Sequence, residues 1–316
     1  MNRYLITGGC GFIGTNLINF IRSTQTSAEI VVIALEEPFY RVEGCRYIVC
    51  DVSDVGKYER YIDGNTIVVH LAWSGFPNIR IATALEGIDH NIIGSCRLFE
   101  TAVNHNCQSI VFLSSGGAVY GKTLAVPITE QHPNVPLSYY GVEKLAVENY
   151  LRLMTSGSST KSVILRPSNP YGRYQRPFAG QGVIATFLAS ALLGKSVDVW
   201  GDGSAIRDYL YIDDLSDAIL KASASRDASV IANIGSGTGS SINEIIELIG
   251  NVTGKKLTVN YLEQTSAETG ANIMDCTVAA ETFGWAGRCS LEDGIRRMLL
   301  TWNEQTERFD RKAEKN

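Results

Sequence analysis

In the run Tyr139-Tyr140-Gly141-Val142-Glu143-Lys144, Tyr140 and Lys144 stand four residues apart, so on a helix both side chains share one face. A lysine ammonium beside a phenol favours the phenolate. The pair can therefore lower a tyrosine pKa from about 10 toward the working range and let Tyr140 exchange a proton with a hydroxyl or keto oxygen. Tyr139 has no lysine at the matching spacing. Tyrosine and lysine also fall four apart on ordinary surface helices, so the pair means chemistry only if a redox partner is bound beside it. A site for one stands near the N-terminus, where Tyr4-Leu5-Ile6 runs into Thr7-Gly8-Gly9-Cys10-Gly11-Phe12-Ile13-Gly14 and then a helical stretch from Thr15 to Arg22. Glycines between strand and helix let the chain turn tightly, approach a pyrophosphate closely and pack the helix on the strand. A nicotinamide held there would exchange hydride with the substrate, and its positive ring would reinforce Lys144.

The Gly8, Gly11, Gly14 spacing and the run Thr-Gly-Gly-Cys-Gly-Phe-Ile-Gly resemble the opening of the extended short-chain dehydrogenase/reductases, the NAD-dependent epimerase/dehydratase family, in its UDP-glucose 4-epimerase-like branch. The resemblance extends from Tyr4 to about Trp302. It implies that Tyr140, Lys144 and a nearby hydroxyl are catalytic, and that Gly8, Gly11, Phe12, Ile13 and Gly14 hold the cofactor pyrophosphate. It further implies that Asp51 and Val52 meet the adenine, that Leu71 and Ala72 of His70-Leu71-Ala72 line the cofactor, and that Asn91 supports its helix. In Leu165-Arg166-Pro167-Ser168-Asn169-Pro170-Tyr171-Gly172, Pro167 falls with the cofactor contacts, and Asn169 with the sugar or diphosphate. Arg207, in Arg207-Asp208-Tyr209, is the implied diphosphate anchor, a task that suits a planar charged fork. The plainer account of Arg207 is a surface pair with Asp208 or Asp213.

Three departures from the family pattern matter. No acid ends the second strand to bind the ribose diol: that position is Ala34, and Glu36 is the candidate, with Glu37 beside it. Two carboxylates would repel a 2′-phosphate, which favours NAD; Arg41 is what would favour NADP. The Ser or Thr expected to bond the reacting oxygen falls on Gly116, leaving adjacent Ser115, water or a substrate group to serve. The next two residues are Gly117 and Ala118 rather than an Asp-Glu pair, which disfavours sugar dehydration. Downstream, Asn272-Ile273-Met274-Asp275 is kept, but the preceding arginine falls on Thr265 or Ser266 and the acid on Glu268, the remaining candidate for a substrate contact. In Phe283-Gly284-Trp285 and Ser290-Leu291-Glu292-Asp293-Gly294, Phe283, Trp285 and Leu291 read as core packing.

Placing these groups together requires alternating strands and helices. Short β-branched runs at 3–7, 30–34, 46–50, 66–71, 109–114, 162–166 and 230–234 alternate with helical stretches, and several are nearly continuous hydrophobics, as in Ile30-Val31-Val32-Ile33. That predicts an α/β chain with a Rossmann-type, doubly wound parallel sheet, its strands buried on both faces. Residues 1–170 form the dinucleotide domain with a return segment near 208–235. Residues 171–207 and 236–316, read as loops and helices, with a helix from Val183 to Gly194 and then strand, turn and helix, form a smaller C-terminal substrate lobe. At 316 residues with 45% hydrophobic and 19% charged residues the chain is globular, and a net charge of −5 with dispersed basic residues excludes a nucleic-acid footprint. Seven scattered cysteines without a CxxC predict reduced thiols and no metal site. No leader and no long apolar run precede or follow the first strand, so cytoplasmic residence without a transmembrane segment is the expectation. The resemblance adds a homodimer packed through helices near 91–104 and 138–154. It also frames the expected activity: a nucleotide-sugar 4-epimerase with bound NAD, or alternatively an NAD(P)H-dependent 4-keto-6-deoxysugar reductase, or a cofactor-binding regulator without turnover.

Overall fold

The computed structural model describes residues 2–75, 87–225, 229–263 and 270–313, the stretch 303–313 by its backbone. The seven apolar runs form β1 (Arg3–Thr7), β2 (Glu29–Ala34), β3 (Arg46–Val49), β4 (Thr66–His70), β5 (Ser109–Leu113), β6 (Lys161–Pro167) and, after an excursion into the lobe, β10 (Ser229–Ile234). They make one parallel sheet in the order β10-β6-β5-β4-β1-β2-β3. Strands with no polar face need cover on both sides, and both sides have it. On one face, Ile6, Val32 and Val69 pack with Leu17 and Ile21 of α1 (Phe12–Thr24). On the other, Leu5, Val68 and Phe112 pack with Leu98 and Phe99 of α2 (Gly94–Asn104), which continues from a π turn at Ile88–Ile93. Each fully buried aliphatic side chain contributes about 1.5–3 kcal/mol, so the sheet–helix layers dominate the stability of this half.

Strand order reverses between β1 and β4, where Thr7 lies opposite His70. In an open parallel sheet a ligand crevice opens at such a switch point, outside the carboxyl ends of the strands. Three strands end one residue sooner than their sequence suggested, at Val49, His70 and Leu113, which releases Cys50, Leu71 and Ser114 into the loops at that edge.

A short helix α3 (Gly116–Val119) and the long α4 (Tyr139–Thr155) follow β5. The Ser138 hydroxyl caps α4 by accepting from the Gly141 N–H at 3.2 Å, the usual device for an otherwise orphaned first-turn donor.

Beyond residue 170 the chain has more strands than the one expected after the Val183 helix, and they form two small sheets. One joins β7 (Asn169–Tyr171), β9 (Ile206–Tyr211) and β11 (Gly239–Ser241); the other pairs β8 (Ser196–Trp200) with β12 (Thr258–Leu262). Three-residue strands such as β7 and β11 are too short to show a period, which is why they read as loop. Helices α5 (Val183–Leu193), α6 (Ile212–Ser223), α7 (Ile242–Thr253), α8 (Thr277–Phe283) and α9 (Leu291–Ala313) complete the chain. Trp285 is core as expected, fully buried with its indole N–H donating to the Asp214 carbonyl at 3.0 Å. Among the described residues no helix is long and apolar enough to cross a membrane, and no His, Cys, Asp and Glu group gathers that could hold a metal.

Candidate active site

A cavity of about 710 Å³ opens at the switch point, and its walls join the two halves of the motif set. The glycine turn and start of α1 (Gly8, Gly11, Phe12, Ile13, Gly14), Leu71, Ser115, Tyr140, Lys144, Pro167 and Asn169 all line it. Gly8 is left-handed, with φ of 67°, and a Cβ there would stand 2.6 Å from the Ala72 nitrogen. A Cβ on Gly14 would fall 2.4 Å from the Gly9 Cα. Side chains are thus barred where the backbone must come close, and Gly11, at the N-terminus of α1, offers no side-chain cap to its free N–H groups. Those unpaired donors and the positive end of the helix dipole suit a pyrophosphate, so the residues present fit a dinucleotide.

The other expected cofactor contacts stand at the same edge without forming the cavity wall. Glu36 is exposed in the loop after β2, and Arg41 is engaged by Glu37 at 3.2 Å and by the Tyr47 ring at 4.8 Å. The Asp51 carboxylate lies below the usual range: burial would raise it, but hydrogen bonds from Ser53 and the nearby His90 outweigh that. Its neighbour Val52 is half-buried and accepts a hydrogen bond from the Tyr58 hydroxyl. Ala72 donates its N–H to the Thr7 hydroxyl at 3.2 Å.

Asn91 belongs to a buried hydrogen-bonded chain. Thr7 Oγ1 meets His70 Nδ1 at 2.7 Å, His70 Nε2 meets Ser95 Oγ at 2.8 Å, and Ser95 donates to the Asn91 carbonyl. Asn91 in turn donates to Glu143 at 2.8 Å, one residue from Lys144. The chain ties the glycine-turn strand to the helix of the acid–base pair. Burial, aided by the Lys144 charge, depresses the His70 pKa from 6.5 to about 3. Below the unfolded value the unfolded chain therefore takes up a proton that the fold refuses, and stability falls by about 1.4 kcal/mol per pH unit until the folded value is reached. Urea unfolding followed from neutral pH toward about pH 4 should show this slope in the parent and a shallower one in His70→Asn; parallel slopes would refute it.

Lys144 is buried and donates from Nζ to the Leu113 carbonyl at 2.7 Å. Burial pushes its pKa well below the usual lysine range, against the opposing charges of Glu148 and Glu143. Tyr140 departs from the expectation of a lowered pKa: burial pushes it up to about 12, against a hydrogen bond with Ser115, with Glu143 adding to the rise. The physical reason is desolvation of the phenolate, the largest influence on this hydroxyl.

Ser115 stands at the N-cap position of α3, its side chain making no cap bond, and hydrogen-bonds Tyr140, so a hydroxyl stands at the reacting end despite the glycine that follows. A Cβ on Gly116 would stand 2.8 Å from Met274 Sδ and 3.1 Å from the Arg166 carbonyl, so Ser or Thr there would require the Met274 side chain to move.

On the lobe side, Asn169 donates to the Asp208 carbonyl at 2.9 Å. Arg207 is half-buried and donates from Nη1 to the Ile206 and Gly270 carbonyls. It is not among the cavity-lining residues. The Asp208 carboxylate is fully buried and takes hydrogen bonds from Ser168, Ser236, Gly237 and Met274, while Asp213 pairs with Arg173 at 2.8 Å. Glu268, with Thr265 and Ser266, lies outside the described residues.

Sequence reasoning missed the support beneath the pair. Glu148, four residues after Lys144 on the same face, makes a two-pronged ion pair with Arg166 at 3.0 and 2.5 Å and accepts from the Ser114 hydroxyl, all of it buried. The signal was present: a charged residue ending the otherwise apolar Val163-Ile164-Leu165 must have a partner.

The family model described as "NAD dependent epimerase/dehydratase family" matches residues 4–235. A dTDP-4-dehydro-6-deoxyglucose reductase of Escherichia coli is 31% identical over 306 residues, covering 94% of this chain and 96% of its own. A UDP-glucose 4-epimerase of Mycolicibacterium smegmatis is 28% identical over 308 residues, covering 94% and 97%. Among solved structures, the UDP-glucose 4-epimerase of Thermotoga maritima with UDP-glucose superposes with a TM-score of 0.88 at 30% identity, covering 96% of this chain and 99% of that one.

Proposed function

Because the chain belongs to the NAD dependent epimerase/dehydratase family, we propose that it is a nucleotide-sugar 4-epimerase acting through a transient 4-keto sugar with NAD held in the cleft. The observation that carries this reading is the convergence of Tyr140, Ser115 and Lys144 with the glycine turn on one cavity. NAD, when bound, takes up and returns the hydride at sugar C4. The protein's own residues handle the proton. Tyr140 accepts it from the C4 hydroxyl and returns it after the keto sugar has presented its other face, Ser115 orients the oxygen, and Lys144 favours the tyrosinate. Asn169 and Arg207 are assigned to the sugar-nucleotide, with Glu268 as a further contact; Glu36, Asp51, Val52, Leu71, Ala72, Asn91 and Pro167 are assigned to the cofactor. The engagement of Arg41 by Glu37 supports NAD over NADP, since a 2′-phosphate would have to compete for that guanidinium. Gly117 and Ala118 leave no acid–base pair for dehydration.

We assign residues 1–170 and the return segment near 208–235 to the dinucleotide domain, and the rest to the substrate lobe. We further propose a homodimer through α2 and α4, supported by Ile93 in the π turn that leads into α2 and by Val142, Tyr150 and Leu153 on α4, each more than 40% exposed in the single chain. Sedimentation at the mass of one chain would remove the dimer.

A second reading, a 4-keto-6-deoxysugar reductase with exchangeable NAD(P)H, is favoured by the identity to the dTDP-sugar reductase. One experiment separates them. The purified protein is denatured and its released nucleotide quantified, and the native protein is given UDP-glucose and UDP-N-acetylglucosamine without added cofactor. The epimerase reading expects NAD near one per chain and interconversion of the 4-epimers with no net redox change. An empty protein that acts only on a 4-keto sugar with added NAD(P)H replaces it with the reductase.

A further inference from the structure

Lys144 sits in a pocket whose charged groups are already committed elsewhere. On its own helix, Glu148 is bonded to Arg166 of β6 and to Ser114, and Glu143 to Asn91; among the described residues neither forms an ion pair with Lys144. From β4 the neutral His70 faces it, and β5 supplies the Leu113 carbonyl and the Phe112 ring at 4.9 Å. Tyr140, with Ser115 on its hydroxyl, lies one turn away with its ring centroid at 5.7 Å. One surface remains, and it is aromatic. The Trp73 ring centroid stands 3.6 Å from Lys144 Nζ, closer than any other ring, and 6.0 Å from the Tyr140 ring, nearly edge-on. Trp73 lines the cavity, and its indole N–H is buried without a hydrogen-bond partner, so no bond of its own fixes the ring; packing against Lys144, Tyr140 and Phe112 does.

We propose that Trp73 is a positioning residue of the acid–base pair: its π face holds the buried Lys144 ammonium in place beside Tyr140, and through Lys144 it sets how readily Tyr140 ionises. A cation over an aromatic face is attracted by the ring quadrupole, and the attraction is largest when both are desolvated, as here. With the indole removed, burial acts on Lys144 unopposed from that side, the ammonium is less populated, and the neighbouring phenolate loses its positive charge. The inference rests on Tyr140 and Lys144 being the acid–base pair.

The test reads Tyr140 itself. The ultraviolet absorbance of tyrosinate is titrated in the NAD-loaded protein and taken as the difference from Tyr140→Phe, in the parent, Trp73→Leu and Trp73→Phe. The midpoint should rise by about one pH unit or more in Trp73→Leu and by less in Trp73→Phe, which keeps a weaker π face. The acid limb of the kcat profile should move with it. Midpoints in both variants that superimpose on the parent's overturn the proposal, even where turnover has fallen, because a merely structural role lowers activity without moving the titration. If Trp73→Leu does not fold, Trp73→Phe decides by the same criterion. Undiminished turnover in Tyr140→Phe would instead sink the acid–base reading, while the titration still judges Trp73.

Discussion

Tyr140→Phe is expected to lower kcat by about 10²–10⁴-fold, the usual contribution of a positioned proton carrier, while the protein still retains NAD and binds sugar-nucleotide. The substitution removes one oxygen from a residue that lines the cavity and hydrogen-bonds Ser115, and it leaves the ring beside Trp73 in place, so the fold has little reason to change. Steady-state kinetics with released-NAD quantification check this. A fall of less than about tenfold with NAD intact would mean that another group moves the proton. The pH dependence has a defined sign. With the Tyr140 pKa pushed up to about 12 by burial, the phenol is protonated at neutral pH without cofactor. In the loaded enzyme the positive nicotinamide and Lys144 lower it, so activity should climb with pH on the acid side, and that limb should vanish from the residual activity of Tyr140→Phe.

Glu148→Gln should destabilise the protein by about 3–5 kcal/mol, because it leaves the buried Arg166 guanidinium without its counter-charge. Both side chains are only 2% exposed, so water cannot replace the lost partner. A guanidinium cannot escape by losing its proton, as a lysine can. The neighbours that remain are polar but uncharged in kind or already bonded: Tyr120 presents its ring face at 4.9 Å and gives its hydroxyl to Asn233, and Arg166 Nη1 has no partner even in the parent. Urea unfolding reads the loss directly. Replacing both members, as Glu148→Met with Arg166→Met, should regain most of it, since the desolvation cost of both charges disappears together. An unfolding midpoint for Glu148→Gln equal to the parent's would show that the pair contributes nothing.

The catalytic pair and the cofactor turn were legible in the sequence because their chemistry is written in local spacing. Tyr140 and Lys144 share a face by helical period alone, and Gly8, Gly11 and Gly14 mark a turn that side chains would block. The seven strands of the large sheet were likewise legible, since strands buried on both faces leave uninterrupted apolar runs. What depends on contacts between distant segments was not. That a side chain at Gly116 would crowd Met274, more than 150 positions away, is one such contact. The short strands of the lobe exist only because β9 pairs with β7 on one side and β11 on the other. The ionisation of the site also escaped the sequence, which shows which groups titrate but not how dry they are. Spacing alone suggested a lowered tyrosine; burial is the largest influence on Tyr140, Lys144 and His70, outweighing opposing carboxylate charges at Lys144, and burial is a property of the assembled fold.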